Sequence, residues 1–343
     1  MDSTRRNEQI WLAVGSLMVL AVVALAFALV YTKVVMIPFV LAVFLTTAVS
    51  PVVDFQVVRC KIPSILAIIL ALILVVAFLS ILGVLLIISV QAIIATAGDY
   101  SENFIGLTKQ IFAWLEKWHI KVDYARIADD LQQRLPALIT QAAGTGTALI
   151  ANGFLITFFV IFLLAGRNSH RVRSGIYRKI ESAVRRYILT KFTISLVTGL
   201  LVWLTLAMLG LRMAFVFGLL TFLLNFIPNI GSVIATLLPL PLAVAQFDSV
   251  WPVIGVVAIP GALQTVIGNV IEPKLMGRGL ELHPVTRLMA LAFWGLLWGY
   301  MGMVLAVPIT AVIRIALIRF ETTRAIGNLL GGQLPDSDLL PVP

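Results

Sequence analysis

The chain has 343 residues, of which 60% are hydrophobic and only 12% are charged, and its mean hydropathy is +1.04. Soluble domains carry about a quarter charged residues, so this composition excludes an ordinary soluble protein. The formal net charge of +9 lies mostly in short segments between apolar runs, a pattern typical of membrane orientation rather than of nucleic-acid binding.

The apolar runs are long enough to cross a membrane. Residues 62–98 contain no charged side chain, and residues 192–271 contain only Arg212 and Asp248. About 20 apolar residues suffice for a helical span, and the alternating pattern of a membrane barrel is absent. The sequence therefore predicts an all-α, polytopic helical membrane protein whose spans lie in the lipid bilayer, its expected partner.

Residues 1–98 are predicted to form three N-terminal transmembrane helices, at about 10–31, 34–53 and 62–97. Arg5 and Arg6 precede the first apolar run as in a signal sequence, but the run continues to about Tyr31. No small-residue cleavage site ends a short apolar core, so we expect a retained span. Pro63 suits the start of the third helix, where its missing N–H is not needed.

Residues 99–146 differ from the rest, with six acidic and five basic side chains. Their apolar positions form two helical stripes, which predicts an amphipathic helical insert outside the membrane. We expect it to contact neighbouring subunits or to lie at the headgroup boundary. The stripes are Phe104, Leu107, Ile111, Trp114 and Trp118, then Ile127, Leu131, Leu135 and Leu138.

A fourth span at about 147–165 leads into a basic segment, 166–191. This segment contains eight Lys and Arg residues and a single acidic residue, Glu181. Such a cluster is typical of the cytoplasmic side, and we expect a solvated surface. Counting spans in both directions from it predicts that both termini, and the tail 321–343, are cytoplasmic. A bacterial-type cytoplasmic (inner) membrane fits this multi-pass topology.

The region 147–320 is irregular in its second part. Twelve of the 24 glycines lie between Gly199 and Gly302, together with seven prolines between Pro228 and Pro284. Broken helices follow from this composition, and the sequence predicts two interrupted hairpins, 213–246 and 285–320. Each is either a re-entrant hairpin or a pair of crossings.

Three motifs in order carry a family resemblance: NFIPNIG at 225–231, NVIEPKLMGRGL at 269–280, and FWG at 293–295 with GMVLAVP at 302–308. With these motifs the chain resembles the autoinducer-2 exporter family, or PerM-like permeases. The resemblance implies export of a small polar quorum-sensing signal such as autoinducer-2, or exchange of sodium or lithium for protons. It also implies a homo-oligomer, expected to be a pentamer. His283 stands where the family tends to have a small or polar residue.

Polar residues at the breaks are the candidate substrate or ion pathway. In one break, unpaired backbone groups of opposed short helices could bind a polar solute; the alternative is a kinked, packed helix capped by its two asparagines. A polar stripe on the next span ends in a carboxylate that could couple protons or cations, or could simply pair with Lys274 or Arg278. The candidates are Asn225, Pro228, Asn229 and Gly231, then Gln264, Asn269 and Glu272, with Gly295, Gly299, Gly302 and Pro308 as hinge or packing residues.

Other functional classes have weaker signals. No hydrolase, metalloprotease or phosphate-binding motif is present, which disfavours an enzyme, and Cys60 and the three histidines have no metal-ligand spacing. We therefore expect neither catalytic residues nor a cofactor. A non-transporting scaffold or assembly factor stays as the alternative of another class. Tryptophans near span ends are expected to be interfacial anchors: Trp11, Trp203, Trp251, Trp294 and Trp298.

Overall fold

The computed structural model of the chain describes residues 2–97, 152–166, 175–276 and 282–333. Within those ranges the structure is helical and contains no strand. The helices are α1 Asp2–Tyr31, α2 Lys33–Val58, α3 Ser64–Ala97, α4 Asn152–Ala165, α5 Ile176–Met208, α6 Ala214–Leu224, α7 Ile230–Leu237, α8 Leu240–Gln246, α9 Val250–Met276, α10 Pro284–Arg319 and α11 Glu321–Leu330.

Six of the described helices are long and apolar enough to cross a membrane: α1, α2, α3, α5, α9 and α10. Many of their large apolar side chains are exposed, including Leu17, Phe27, Ile65 and Ile73. A soluble protein rarely exposes so much contiguous apolar surface, whereas lipid contact stabilises it. The prediction of an all-α polytopic membrane protein is confirmed. The whole of the predicted insert 99–146 lies outside the described residues.

The chain divides into two compact units, Phe44–Glu281 and a second one made of Met1–Val43 with Leu282–Pro343. The core of the larger unit lies between α5, α6, α8 and α9, where Val202, Leu206, Ala243 and Val256 are fully buried. Gly199 on α5 and Gly218 on α6 bring two backbones together, since a Cβ at Gly199 would lie 2.7 Å from the Gly218 carbonyl oxygen. Small residues permit such close approach between membrane helices.

At the first predicted break, residues 225–231, the chain reverses direction instead of continuing as a kinked helix. Gln246 at the end of α8 accepts a hydrogen bond from the Arg212 N–H and donates one to the Gly210 carbonyl, both at 2.7 Å. The end of the segment therefore returns to its beginning. At 1.5 Å per residue α6 is about 16 Å long, roughly half the hydrocarbon thickness, which favours a re-entrant hairpin. The kinked-helix alternative is therefore wrong.

In the smaller unit, α10 is also a hairpin. Gly299 has φ 63° and ψ −142°, outside helical geometry, and separates arms 284–298 and 300–319. Trp294 Nε1 donates to Thr310 Oγ1 at 3.1 Å, although a straight helix would separate these residues by about 24 Å. The short helix α11 docks against Arg314 of the second arm and against His283, the N-cap of the first arm, so the first part of the expected tail is a docked helix.

Helix α5 begins at Ile176, inside the segment that the sequence assigns to a basic solvated surface. Arg185 and Arg186 are exposed as expected, but the Lys191 side chain is only 3% exposed. The expectation of a solvated side chain is therefore wrong for Lys191. Its charge is buried between α5 and α9, where Glu272 of α9 compensates it.

Candidate functional site

The turn between α6 and α7 is built around Asn229. Its φ of 60° and ψ of −54°, with a 2.6 Å hydrogen bond from Ile230 N–H to the Pro228 carbonyl, define a γ-turn of the rare positive-φ form. Asparagine tolerates positive φ better than most residues. Gly231 follows because a Cβ there would overlap the Leu224 carbonyl oxygen on the opposite arm. The Asn229 side chain makes no cap to α7 and is exposed at the turn.

Asn225, at the other side of the turn, is fixed from α5. Its Nδ2 donates to Ser195 Oγ at 3.1 Å, and Ser195 is fully buried. Asn225 ends α6 with helical backbone angles, so it is a C-cap residue as well as a side-chain contact. The first half of the NFIPNIG motif is thereby anchored to a neighbouring helix.

Gln264 joins α9 to the hairpin. Its Nε2 donates to Thr236 Oγ1 on α7 at 2.9 Å, and the threonine hydroxyl donates to the Ser232 carbonyl at 2.9 Å. Gln264 is 6% exposed, and its Oε1 is buried without a hydrogen-bond partner within the described residues. Burying such an acceptor unpaired costs about 1–3 kcal/mol, so an additional donor bound there would be stabilised.

Beyond Gln264 the helix α9 widens into a π-helical turn, Ile267–Ile271. Pro273 follows and supplies no N–H to the carbonyls one turn earlier, those of Gly268 and Asn269. A π turn shifts the hydrogen-bond register and is frequent at functional sites. Asn269 is exposed here, in line with the predicted polar stripe but not in contact with Asn225 or Asn229 through any described hydrogen bond.

Glu272 forms an ion pair with Lys191 of α5, at 2.6 Å between Oε1 and Nζ. Exposure is 3% for the lysine side chain and 19% for the glutamate. The alternative of a local pair with Lys274 is wrong, since Lys274 is exposed and the described partner lies 81 positions earlier. Arg278, the other local candidate, lies outside the described residues. A charge pair this buried in a membrane helix is a functional-site hypothesis by default.

The predicted hinge residues have distinct places in the second hairpin. Gly299 is the turn, in backbone geometry that glycine alone adopts readily. Gly302 and Gly295 let the arms close, since a Cβ at Gly302 would overlap the Trp294 carbonyl oxygen and one at Gly295 would lie 3.0 Å from Met303 Cγ. Pro308 is buried within the second arm.

Two tryptophans differ from the expected interfacial anchors. Trp294 and Trp298 are 7% and 6% exposed. Their indole N–H groups donate to Thr310 Oγ1 and to the Leu29 carbonyl. Trp294 thus joins the two arms of the hairpin, and Trp298 joins the hairpin to α1. Trp251, 79% exposed, fits the anchoring expectation, and the side chain of Trp11 lies outside the described residues.

Several predicted site residues are thus connected in the larger unit, and the connecting residues were missed. Lys191 and Ser195 lie four positions apart on one buried face of α5 and hold Glu272 and Asn225, respectively. The signal was present in the sequence as polar residues at helical spacing at the start of an apolar span. The predicted approach of the two breaks involves both compact units and stays a prediction.

These features define a class of protein: a multi-pass helical membrane protein with two interrupted hairpins and a buried polar network beside one of them. Residues 17–321 match the family described as AI-2E family transporter. The chain belongs to that family of transporters, which confirms the resemblance.

Individual relatives agree with this assignment. The chain is similar to the AI-2 transport protein TqsA of Escherichia coli (strain K12), with 32% identity over 313 residues, which cover 86% of this chain and 89% of TqsA. It is 29% identical over 318 residues to YhhT of the same organism, named provisionally as a transport protein, covering 87% of this chain and 88% of YhhT. YrrI of Bacillus subtilis (strain 168), similarly named, is 27% identical over 326 residues, which cover 85% of this chain and 88% of YrrI.

Proposed function

We propose that this protein exports a small polar, hydroxyl-bearing solute of the autoinducer-2 kind. The observation that carries the proposal is the turn at Asn229, which presents an exposed amide and a strained, non-helical backbone between two short apolar helices. Interrupted helices of this kind offer polar groups to solutes inside a membrane. The similarity to TqsA, an AI-2 transport protein, supports the choice of solute.

The side chains of Gln264 and Asn229 both suit a hydroxylated solute. The orphaned Gln264 Oε1 can accept a hydrogen bond, and the Asn229 amide can both donate and accept. A packed scaffold gains no stability from an unpaired buried acceptor, so this arrangement supports transport over the scaffold alternative. We propose the same pathway role for Asn225, Asn269 and Glu272, with the second hairpin as a hinge.

A second candidate function is exchange of sodium or lithium for protons. The specific observation in its favour is the Lys191–Glu272 ion pair, because carboxylates are hard oxygen ligands and exchangeable proton sites. It is the alternative in this proposal, since an ion pair also serves structural roles in packed helices.

The test uses purified full-length protein in proteoliposomes, comparing autoinducer-2 with sodium as the transported species under an imposed pH gradient. Asn229→Ala is expected to reduce solute flux at equal reconstitution, while Pro228→Ala changes the conformational equilibrium without removing a polar side chain. Asn152→Ala is the matched control, since Asn152 is an exposed amide at the start of α4. Equal flux by Asn229→Ala and Asn152→Ala would remove the proposed role of the turn.

We also propose an inner-membrane topology with both termini and the 166–191 segment cytoplasmic and residues 99–146 outside. Cys60 is exposed, so labelling needs a Cys60→Ser background. Lys121→Cys is then expected to react with a membrane-impermeant maleimide from outside only. Reaction from the cytoplasmic side alone would reverse the orientation.

Finally, we propose a homo-oligomer, with the pentamer as the expected state and the 99–146 insert contributing contacts. Ile111→Asp with Trp114→Asp places charges in one apolar stripe, whose burial is worth a few kcal/mol at about 25 cal/mol/Å². Native mass analysis is expected to show a smaller assembly. An unchanged assembly would count against the insert as the contact.

A further inference from the structure

Helix α11 lies across the open end of the second hairpin. Its Leu330 carbonyl accepts from the His283 N–H at the start of the first arm, and its Gly327 carbonyl accepts from Arg314 Nε near the end of the second arm, both at 3.1 Å. Phe320 alone separates α10 from α11, and its φ of −95° and ψ of 131° are extended, so the chain changes direction there. Since both arms of a membrane hairpin leave the bilayer at this end, α11 lies at the membrane surface.

The ten residues of α11 divide into three faces at 3.6 residues per turn. One face packs against the hairpin, with Gly327 buried at its centre. The second face is apolar and exposed: Ile326 is 52% and Leu329 58% exposed, and Phe320, directly before the helix, is 66% exposed. The third face carries the polar residues of the helix, Glu321, Arg324 and Asn328.

Exposed arginines surround the same end of the hairpin. Arg287 lies in the first turn of the first arm, Arg319 ends the second arm, and Arg324 lies on α11. Within the described residues 282–333, Glu321 is the single acidic residue. A guanidinium group binds phosphate oxygens with paired hydrogen bonds, so this surface is complementary to phosphate groups at the depth of the lipid headgroups.

We propose that α11 is an interfacial helix that binds anionic phospholipid at the base of the second hairpin. Arg287, Arg319 and Arg324 contact the headgroup phosphates. The apolar face of α11 lies in the boundary between headgroups and acyl chains. This inference goes beyond the proposed transport function, because it depends neither on the solute nor on the side of the membrane that α11 faces.

Two observations favour lipid over a second copy of the chain as the occupant of this face. The exposed apolar side chains of α11 present only a few hundred Å², whereas a stable protein interface buries about 800 Å² on each partner. A short helix with an apolar face, a basic polar face and a membrane segment directly before it is typical of helices that lie in the interface plane. The expected cytoplasmic tail therefore begins as a membrane-bound helix.

The first experiment measures the depth of α11 in the bilayer. Spin labels are placed singly by Ile326→Cys and Asn328→Cys, which lie roughly 160° apart around the helix, in a Cys60→Ser background in nanodiscs of phosphatidylcholine with phosphatidylglycerol. The full chain is used, so the charges of Asp336 and Asp338, outside the described residues, are included. The label at 326 is expected to meet dissolved oxygen but not an aqueous nickel chelate, and the label at 328 to meet the chelate.

Either of two other results for position 326 overturns the interfacial placement. Equal access of the chelate to both labels would mean that the apolar face lies in water. Protection of the label at 326 from oxygen as well as from the chelate would mean that protein covers this face, as in a contact between subunits.

The second experiment tests the class of lipid. Phosphatidylglycerol or phosphatidylcholine is titrated into the full-length protein in detergent, and the rise in Tm gives an apparent affinity. Arg319→Gln with Arg324→Gln is expected to bind phosphatidylglycerol about 30-fold more weakly, which corresponds to about 1 kcal/mol for each arginine. Arg185→Gln with Arg186→Gln removes the same charge from an exposed surface of α5 and is expected to keep the wild-type affinity.

Three results would overturn the lipid site. Equal weakening by the two double variants would show a general effect of net charge. An equal rise in Tm with phosphatidylcholine would show that the headgroup charge is not recognised. The same rise with inorganic phosphate at matched ionic strength would show a site for soluble anions.

Discussion

Adding one methyl group at Gly199 is expected to open the contact between α5 and α6. A Cβ there would lie 2.7 Å from the Gly218 carbonyl oxygen and 2.8 Å from Phe222 Cβ. An ordinary contact needs about 3.4 Å or more, so the helices must separate by roughly 0.7 Å in Gly199→Ala. Neither neighbour is the end of a flexible side chain, so the backbone has to move.

The separation of α5 and α6 is also expected to stretch the hydrogen bond between Ser195 and Asn225. Ser195 lies one turn before Gly199, and Asn225 lies three residues after Phe222, so the same movement stretches their 3.1 Å hydrogen bond toward about 3.8 Å, beyond bonding range. Overpacking costs about 1–3 kcal/mol, and losing the hydrogen bond adds about 1. The higher helix propensity of alanine than of glycine offsets about 1 kcal/mol of this loss. The expected net loss is about 1–3 kcal/mol.

Thermal unfolding of the purified protein in detergent measures this loss. A loss of this size lowers the Tm by several degrees, at about 2–4 °C per kcal/mol. Gly83→Ala on α3 is the matched control, since a Cβ there meets nothing within 4 Å. The packing argument is refuted if Gly199→Ala is as stable as Gly83→Ala.

Three further substitutions test the hydrogen bonds that close the two hairpins. Gln246→Leu removes both hydrogen bonds to Gly210 and Arg212 and is expected to lower the free energy of unfolding by about 1–2 kcal/mol, measured by the same Tm; an unchanged Tm would show that these exposed bonds do not stabilise the hairpin. Trp294→Phe and Thr310→Val each remove one partner of a buried hydrogen bond. Their double variant is expected to lose less stability than the sum of the single losses, and strict additivity would contradict a direct coupling.

Patterns of local composition allowed the helical spans and the breaks to be predicted from the sequence. The apolar run of 62–97 corresponds to α3 at Ser64–Ala97, because only a helix satisfies backbone groups in lipid over that length. The clusters of glycine and proline indicated reversals because glycine permits left-handed backbone and close approach. The structure has such a reversal at Gly299 and one next to Gly231.

The partners across the fold could not be predicted in the same way. Lys191 stands at the end of a basic segment, and its sequence neighbours suggest a solvated side chain, whereas its partner Glu272 is 81 positions away. Trp294 and Trp298 lie near a span end by sequence, but the turn at Gly299 places them inside a hairpin. The expected exposure of Lys191 and the expected interfacial position of the two tryptophans were therefore wrong for the same reason. Each depends on a contact with a distant part of the chain, and that contact is set by the direction the chain takes after a break.

Helix α11 lies within the segment that the sequence assigns to a cytoplasmic tail. This helix has ten residues, below the roughly 12–15 at which isolated helices become stable in water, so it depends on docking. The Leu330 carbonyl accepts from His283 N–H at 3.1 Å, and the Gly327 carbonyl accepts from Arg314 Nε, also at 3.1 Å. These contacts join α11 to the beginning of one arm of the second hairpin and to the other arm.

Gly327→Ala is expected to undock this helix, because the new Cβ would lie 2.6 Å from Ile318 Cγ1 and 3.0 Å from the Ile318 amide nitrogen. Once undocked, a helix this short melts, and its exposed Arg324 becomes a substrate for trypsin. Limited proteolysis in detergent is therefore expected to cleave Gly327→Ala after Arg324 several-fold faster than wild type. Ala325→Ser is the control, since residue 325 is exposed and the change adds one oxygen without a new backbone contact. Equal cleavage rates for both variants would mean that the contact between Gly327 and Ile318 does not hold α11 in place.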